Sequence, residues 1–191
     1  MAGGALPGWK IEGAGELWSF RRLNWAPAES DLSAVGTRGL ALTRSFQKVR
    51  PEPGHHGESV FRRGEVVKVT VTMMTAVPRW NLALEDPVPA GLEPMDFRMR
   101  DQNRNLARLL DGGPGPSDPW AAWLDWYDRE EIRPEAIRLF AGYLAPGVYS
   151  YSYLARPVTP GTYPVEGPYA EEMYAPENHG RGEGAVITVE R

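Results

Sequence analysis

The three histidines, His55, His56 and His179, are the first side chains to weigh for chemistry. His55 and His56 lie within the turn-rich run Pro51-Glu-Pro-Gly-His-His-Gly57, with Glu58 near, while His179 lies far along the chain. A zinc site needs three or four convergent ligands, so these read as exposed loop histidines and no metal is expected. Carboxylates gather at Glu85-Asp86, at Asp125, Asp128, Glu130 and Glu131, and at Glu171-Glu172. Glycoside hydrolysis needs two of them about 5–10 Å apart across a cleft. With 25 acids in 191 residues such clusters arise by chance, and solvated strand faces and turns are their expected place. The chain has no cysteine, which removes both a thiolate ligand set and a cysteine nucleophile. A serine nucleophile would want a Gly-x-Ser-x-Gly elbow, and none is present. Gly13-Ala-Gly15 has no strand before it and no third glycine in register, and Gly112-Gly113 lacks the Lys-Ser/Thr of a phosphate loop. No cofactor is expected, and the chain reads as a non-enzyme.

The aromatic residues offer binding rather than catalysis. Trp120, Trp123 and Trp126 recur at every third position, and Tyr127 follows. Tyr149, Tyr151 and Tyr153 alternate with Val148, Ser150, Ser152 and Leu154, the period of two that puts tyrosines on one face of a sheet. Such rings stack sugars, form protein interfaces or fill a core. Tyr149, Tyr151 and Tyr153 are therefore a candidate aromatic interface, with at least one tyrosine face partly exposed.

The elements that would carry these residues are strands. Hydrophobic residues make up 42% of the chain, which is too many for disorder, and the net charge of −4 argues against a general nucleic-acid binder. No run of 18 or more apolar residues occurs, so no membrane-spanning helix is expected. The start, Met1-Ala-Gly-Gly-Ala-Leu-Pro-Gly-Trp-Lys, lacks a basic n-region and an apolar h-region. Either the protein is cytosolic, or this is an internal piece of a longer, exported protein given a new start, and the second reading is favoured. The 21 glycines and 18 prolines punctuate short periodic runs, as in an all-β sandwich.

Nine strands are predicted: Glu16–Trp25, Gly39–Phe46, Glu65–Met73, Trp80–Glu85, Leu92–Met99, Trp123–Ile132, Ala136–Tyr143, Val148–Arg156 and Gly184–Glu190. The clearest is Glu65–Met73, with Val67, Val69, Val71 and Met73 on one face and Lys68, Thr70 and Thr72 on the other. One short helix is expected over Asp101–Leu110, and 111–119 reads as an exposed loop. Residues 1–15 form a lead-in or linker and 16–191 one antiparallel β-sandwich domain.

Several blocks resemble the C-terminal domain of bacterial alpha-2-macroglobulins. Tyr-Leu-Ala-Arg156 runs into Thr159-Pro-Gly-Thr162 and then Glu172-Met173-Tyr174. Phe61-Arg-Arg-Gly-Glu-Val-Val-Lys-Val69, Leu84-Glu-Asp-Pro-Val-Pro-Ala-Gly-Leu-Glu93 and Arg129–Phe140 look like landmarks of the same domain, in the same order. The resemblance implies a macroglobulin-like sandwich within a broad endopeptidase inhibitor of the bacterial periplasm or cell envelope. Such a parent traps peptidases after they cut a bait region, using a thioester formed by a Cys-x-x-Gln motif. Without cysteine, this chain leaves the thioester to another domain of the parent polypeptide. That thioester domain is the implied partner, with peptidases engaged only through the full-length protein. The resemblance also implies that Met173 and Tyr174 help shield the thioester from water, as a dry apolar cover. The alternative is a stand-alone β-sandwich module that binds carbohydrate or a protein through its Trp and Tyr residues.

Overall fold

The computed structural model describes residues 36–49, 59–96 and 125–191. Among the described residues the regular structure is entirely β, in thirteen strands. They are β1 (Gly36–Thr37), β2 (Leu40–Lys48), β3 (Val60–Arg62), β4 (Val67–Thr75), β5 (Arg79–Pro87), β6 (Leu92–Pro94) and β7 (Arg129–Ile132), continuing with β8 (Ala136–Leu144), β9 (Gly147–Pro157), β10 (Gly161–Val165), β11 (Tyr169–Glu172), β12 (Ala175–Arg181) and β13 (Ala185–Glu190). A six-stranded sheet, β1-β12-β11-β5-β8-β7, faces a four-stranded sheet, β2-β4-β9-β6, and a three-stranded sheet, β10-β13-β3, adds to their core.

β4 shows why the fold forms. Its Val67, Val69, Val71 and Met73 are at most 1% exposed, while Lys68, Thr70 and Thr72 on the other face are partly exposed. The strand pairs along its whole length with β2 on one side and β9 on the other. On the outer face hydroxyls match across the ladder, Thr70 with Ser152 at 2.9 Å and Thr72 with Ser150 at 3.2 Å. The inner face meets Leu82 and Leu84 of β5 and Ile137, Leu139 and Ala141 of β8 in one cluster. Phe61, Val165, Ile187 and Val189 join it from the three-stranded sheet. Each fully buried aliphatic side chain contributes roughly 1.5–3 kcal/mol, so this cluster is the main source of stability. β12 crosses close to β2, where a Cβ at Gly180 would stand 2.1 Å from the Leu40 carbonyl oxygen. Only glycine permits that approach.

The observed sandwich is richer in strands than the nine predicted, and the parallel pair β13–β3 departs from the expected antiparallel pattern. β1, β3, β10, β11 and β12 fall outside the nine predicted strands. β12 has no hydrophobic alternation and is held by its ladders to β11 and β1. Of the expected strand over Trp123–Ile132 the described residues show Arg129–Ile132, and of that over Leu92–Met99 they show Leu92–Pro94; 123–124 and 97–99 lie outside the described residues. Glu16–Trp25, the helix over Asp101–Leu110 and the loop over 111–119 lie outside the described residues.

Candidate functional site: an apolar end with a pinned turn

Seven large apolar side chains stand exposed among the described residues: Met74, Val77, Trp80, Tyr143, Val148, Met173 and Tyr174. Strand register brings them to one end of the sandwich. Trp80 opens β5 opposite Tyr143 near the close of β8, and their rings meet at 5.7 Å. Met74 near the end of β4 pairs with Val148 at the start of β9, and Val77 lies in the β4–β5 turn beside them. Met173 and Tyr174 form the β11–β12 turn, on the strand that pairs Glu172 with Leu82 of β5. Tyr174 is the most exposed of the seven, at 84%. An open groove lies between this turn and the β4–β5 turn, lined by Val77, Trp80, Asn81, Tyr174 and Asn178. Large apolar side chains left exposed at one end of a folded domain mark a place where something else packs.

The β11–β12 turn is pinned from beneath. The Met173 amide donates to the Asn81 carbonyl at 2.9 Å, with Asn81 itself at φ 49°. Asparagine tolerates that left-handed region better than most residues. Glu172, 7% exposed, receives three donors: the Trp80 amide at 2.7 Å, the Asn178 side-chain amide at 2.5 Å and the Arg79 guanidinium at 3.4 Å. Arg79 is buried as well, and donates onward to the Thr75 hydroxyl at 3.1 Å and the Gly39 carbonyl at 2.8 Å. Charge-assisted bonds inside a poorly hydrated site are strong and directional, so this hub ties β4, β5, β11, β12 and the residue leading into β2 together below the turn.

The tyrosine row faces inward. Tyr151 and Tyr153 are buried, and Tyr149 is half-buried against Trp126 at 5.7 Å. Their hydroxyls are occupied: Tyr149 donates to the Ala145 carbonyl at 2.6 Å, Tyr151 to the Glu130 carboxylate, and Tyr153 to Asp86 at 2.8 Å. Of the candidate aromatic interface, Tyr151 and Tyr153 thus line the interior, and Tyr149 is the one near the surface. Trp126 caps that wall and donates its indole N–H to the Ser150 carbonyl at 3.0 Å. Trp120, Trp123, His55, His56 and Glu58 lie outside the described residues. His179 sits against the Tyr169 ring with Nδ1 3.0 Å from the Pro176 carbonyl. No three metal-ligating side chains converge among the described residues.

The carboxylate clusters serve the fold. Glu85 takes Arg138, Asp128 the Gly142 amide, Glu131 Arg129 and Glu171 the Tyr169 hydroxyl. Asp86 is bound to Arg44 at 2.8 Å. The apolar end is not legible in the sequence because three remote strand–turn–strand segments build it. Its one local signal is phase: Met74 and Val148 are apolar at positions where their strands point to solvent.

Comparison with known proteins agrees with this architecture. The model of the bacterial alpha-2-macroglobulin MG10 domain matches residues 39–177. An alpha-2-macroglobulin homolog of a Nostoc species is 32% identical over 160 residues, 80% of this chain and 8% of that protein. Salmonella alpha-2-macroglobulin reacted with methylamine superposes with a TM-score of 0.63 at 24% identity, over 83% of this chain and 10% of that chain. Native Escherichia coli alpha-2-macroglobulin, spanning domain MG7 to the C-terminus, gives a TM-score of 0.63 at 23% identity, over 82% of this chain and 24% of that one. These structural likenesses carry the fold, a macroglobulin-like β-sandwich.

Proposed function

This chain belongs to the bacterial alpha-2-macroglobulins, matching their MG10 domain, and we propose that it is the non-catalytic C-terminal domain of a bait-and-trap endopeptidase inhibitor. In this reading its apolar end packs on the thioester domain of the same parent polypeptide, and Met173 and Tyr174 cover the thioester. The parent acts in the bacterial periplasm or cell envelope, and peptidases meet this domain only through it. One observation carries the reading: the seven exposed large apolar side chains of the described residues share one end, Met173 and Tyr174 among them. A thioester outlasts water and amines only where both are kept out. Methionine adapts its shape and tyrosine presents a broad amphipathic ring, so together they suit a cover that must close and later lift.

The arrangement gives less support to a carbohydrate module. Among the described residues, the exposed pair Trp80 and Tyr143 is tilted 57° and makes no flat platform for a sugar. The cover reading is checked by photo-cross-linking. With benzoylphenylalanine in place of Tyr174 in the full-length polypeptide, irradiation before peptidase treatment should link this turn to the peptide that carries Cys-x-x-Gln. Cross-links that consistently reach some other domain would contradict it.

A further inference from the structure

We propose that Glu172 is a positioning residue for the cover: its buried carboxylate fixes the Met173–Tyr174 turn by accepting the Trp80 amide while Arg79 and Asn178 hold it in place. The inference rests on the cover reading above. Met173 follows Glu172 directly, so the rotation of the Glu172 side chain into the interior sets the direction in which the chain leaves β11. That direction is irregular. The β11–β12 pairing shifts between Glu171 and Glu172, from Glu171↔His179 to Glu172↔Ala175. A bulge of this kind bends a strand and re-aims the side chains beyond it.

Only a carboxylate meets the demands of the site. One oxygen takes the Trp80 amide at 2.7 Å, and the other takes Asn178 at 2.5 Å and Arg79 at 3.4 Å. The Trp80 amide and the Arg79 guanidinium can only donate, and they sit at opposite oxygens of the carboxylate. A glutamine of the same size has one acceptor oxygen, so its own N–H groups would oppose whichever donors that oxygen does not reach. Trp80 is itself one of the exposed apolar residues. Glu172 therefore fixes two parts of the apolar end at once, the turn through the chain and the indole through its backbone amide.

The test compares Glu172→Gln with wild type by two readouts. In the 191-residue chain, hydrogen exchange at the Trp80 amide should rise about tenfold or more, reflecting loss of a charge-assisted bond. In the full-length polypeptide, methylamine capture at the thioester should also rise about tenfold, part of the way to the Met173→Ala, Tyr174→Ala double variant. Ile187→Ala, in the core of the three-stranded sheet, is the control for general loosening. It should lower thermal stability and leave amine capture unchanged. Glu172→Gln at the wild-type rate beside a fast double variant overturns the positioning role and leaves the cover standing. A double variant at the wild-type rate overturns the cover, and the positioning role with it. Equal acceleration by Ile187→Ala reduces Glu172 to ordinary stability and also overturns the proposal.

Discussion

Replacing Met173 and Tyr174 together by alanine, in the full-length polypeptide that carries this chain, is expected to speed methylamine capture by the thioester roughly 10²-fold. The magnitude follows from what the two side chains bring. Truncating a methionine and a tyrosine in a packed contact forfeits on the order of 3 kcal/mol of apolar burial. Each 1.4 kcal/mol is about tenfold in the population of an opened cover. Methylamine is the fitting probe because it is small, nucleophilic and known to react with the Salmonella relative. The substitution should leave the sandwich intact, since Met173 and Tyr174 are 44% and 84% exposed in the domain itself. Thermal unfolding of the 191-residue chain with both changes should stay close to wild type. Faster capture with unchanged unfolding assigns the effect to the contact. Unchanged capture would remove these residues from the cover.

The second large effect lies in the core. Arg44 and Asp86 form an ion pair with each side chain 1% exposed, and Tyr153 donates to the other Asp86 oxygen at 2.8 Å. Arg44 also donates to the carbonyls of Pro87, at 3.1 Å, and Glu166, at 2.8 Å, and lies over the Phe46 ring. The cluster joins β2 and β9 of one sheet to β5 of the facing sheet and to the β10–β11 connection. Asp86→Ala leaves a buried guanidinium without its carboxylate and a buried hydroxyl without its acceptor. The expected cost is about 3–5 kcal/mol, read as a lower urea midpoint. Replacing the pair together, as Arg44→Met with Asp86→Leu, should recover most of that, because burying two ions consumes much of what their attraction supplies.

The pH dependence of this cluster has a definite sign. Burial raises the Asp86 carboxyl above its ordinary 3.8, against the lowering pull of Arg44 and of the bond from Tyr153. The native state thus holds this proton more tightly than the unfolded chain. The stability it contributes is fully present below about 3.8 and is lost as pH climbs through the raised native value. The measured cost of Asp86→Ala should accordingly grow as pH falls toward 3.8. Burial, with Asp86 next, pushes the Tyr153 hydroxyl well above its ordinary value of 10.0, so it remains a donor across the accessible range.

What was legible in the sequence follows from where the physics is local. β4 and β9 announce themselves through alternation within nine and eleven residues, and their neighbours β2, β5 and β8 nearly as well. β11 and β12 do not, because their sequences satisfy partners rather than a pattern: the ladder to β5 and the hub at Glu172 define them. The tyrosine period was correct as a period, but burial fixed its direction. Tyr153 points inward because Asp86 and Arg44 are there to receive it. That cluster left a readable trace. Arg44 is in phase with Leu40 and Leu42, and Asp86 with Leu82 and Leu84, so two strands each carry one opposite charge on a core face. Met173 and Tyr174 came from resemblance alone. The surface around them depends on β4, β5, β8 and β9 all ending at the same level, which no single segment encodes.

The most direct test of the cover is the reactivity of Tyr174 and Met173 themselves in three states: the 191-residue chain, the intact full-length polypeptide and that polypeptide after peptidase cleavage. Nitration of Tyr174 and peroxide oxidation of Met173, followed by peptide mass spectrometry, read both at once. The expected result is fast modification in the chain alone, where both side chains are exposed, strong protection in the intact polypeptide and return of reactivity after cleavage. Equal, fast modification in the intact polypeptide would mean that this end faces water there, and the shielding role would fall.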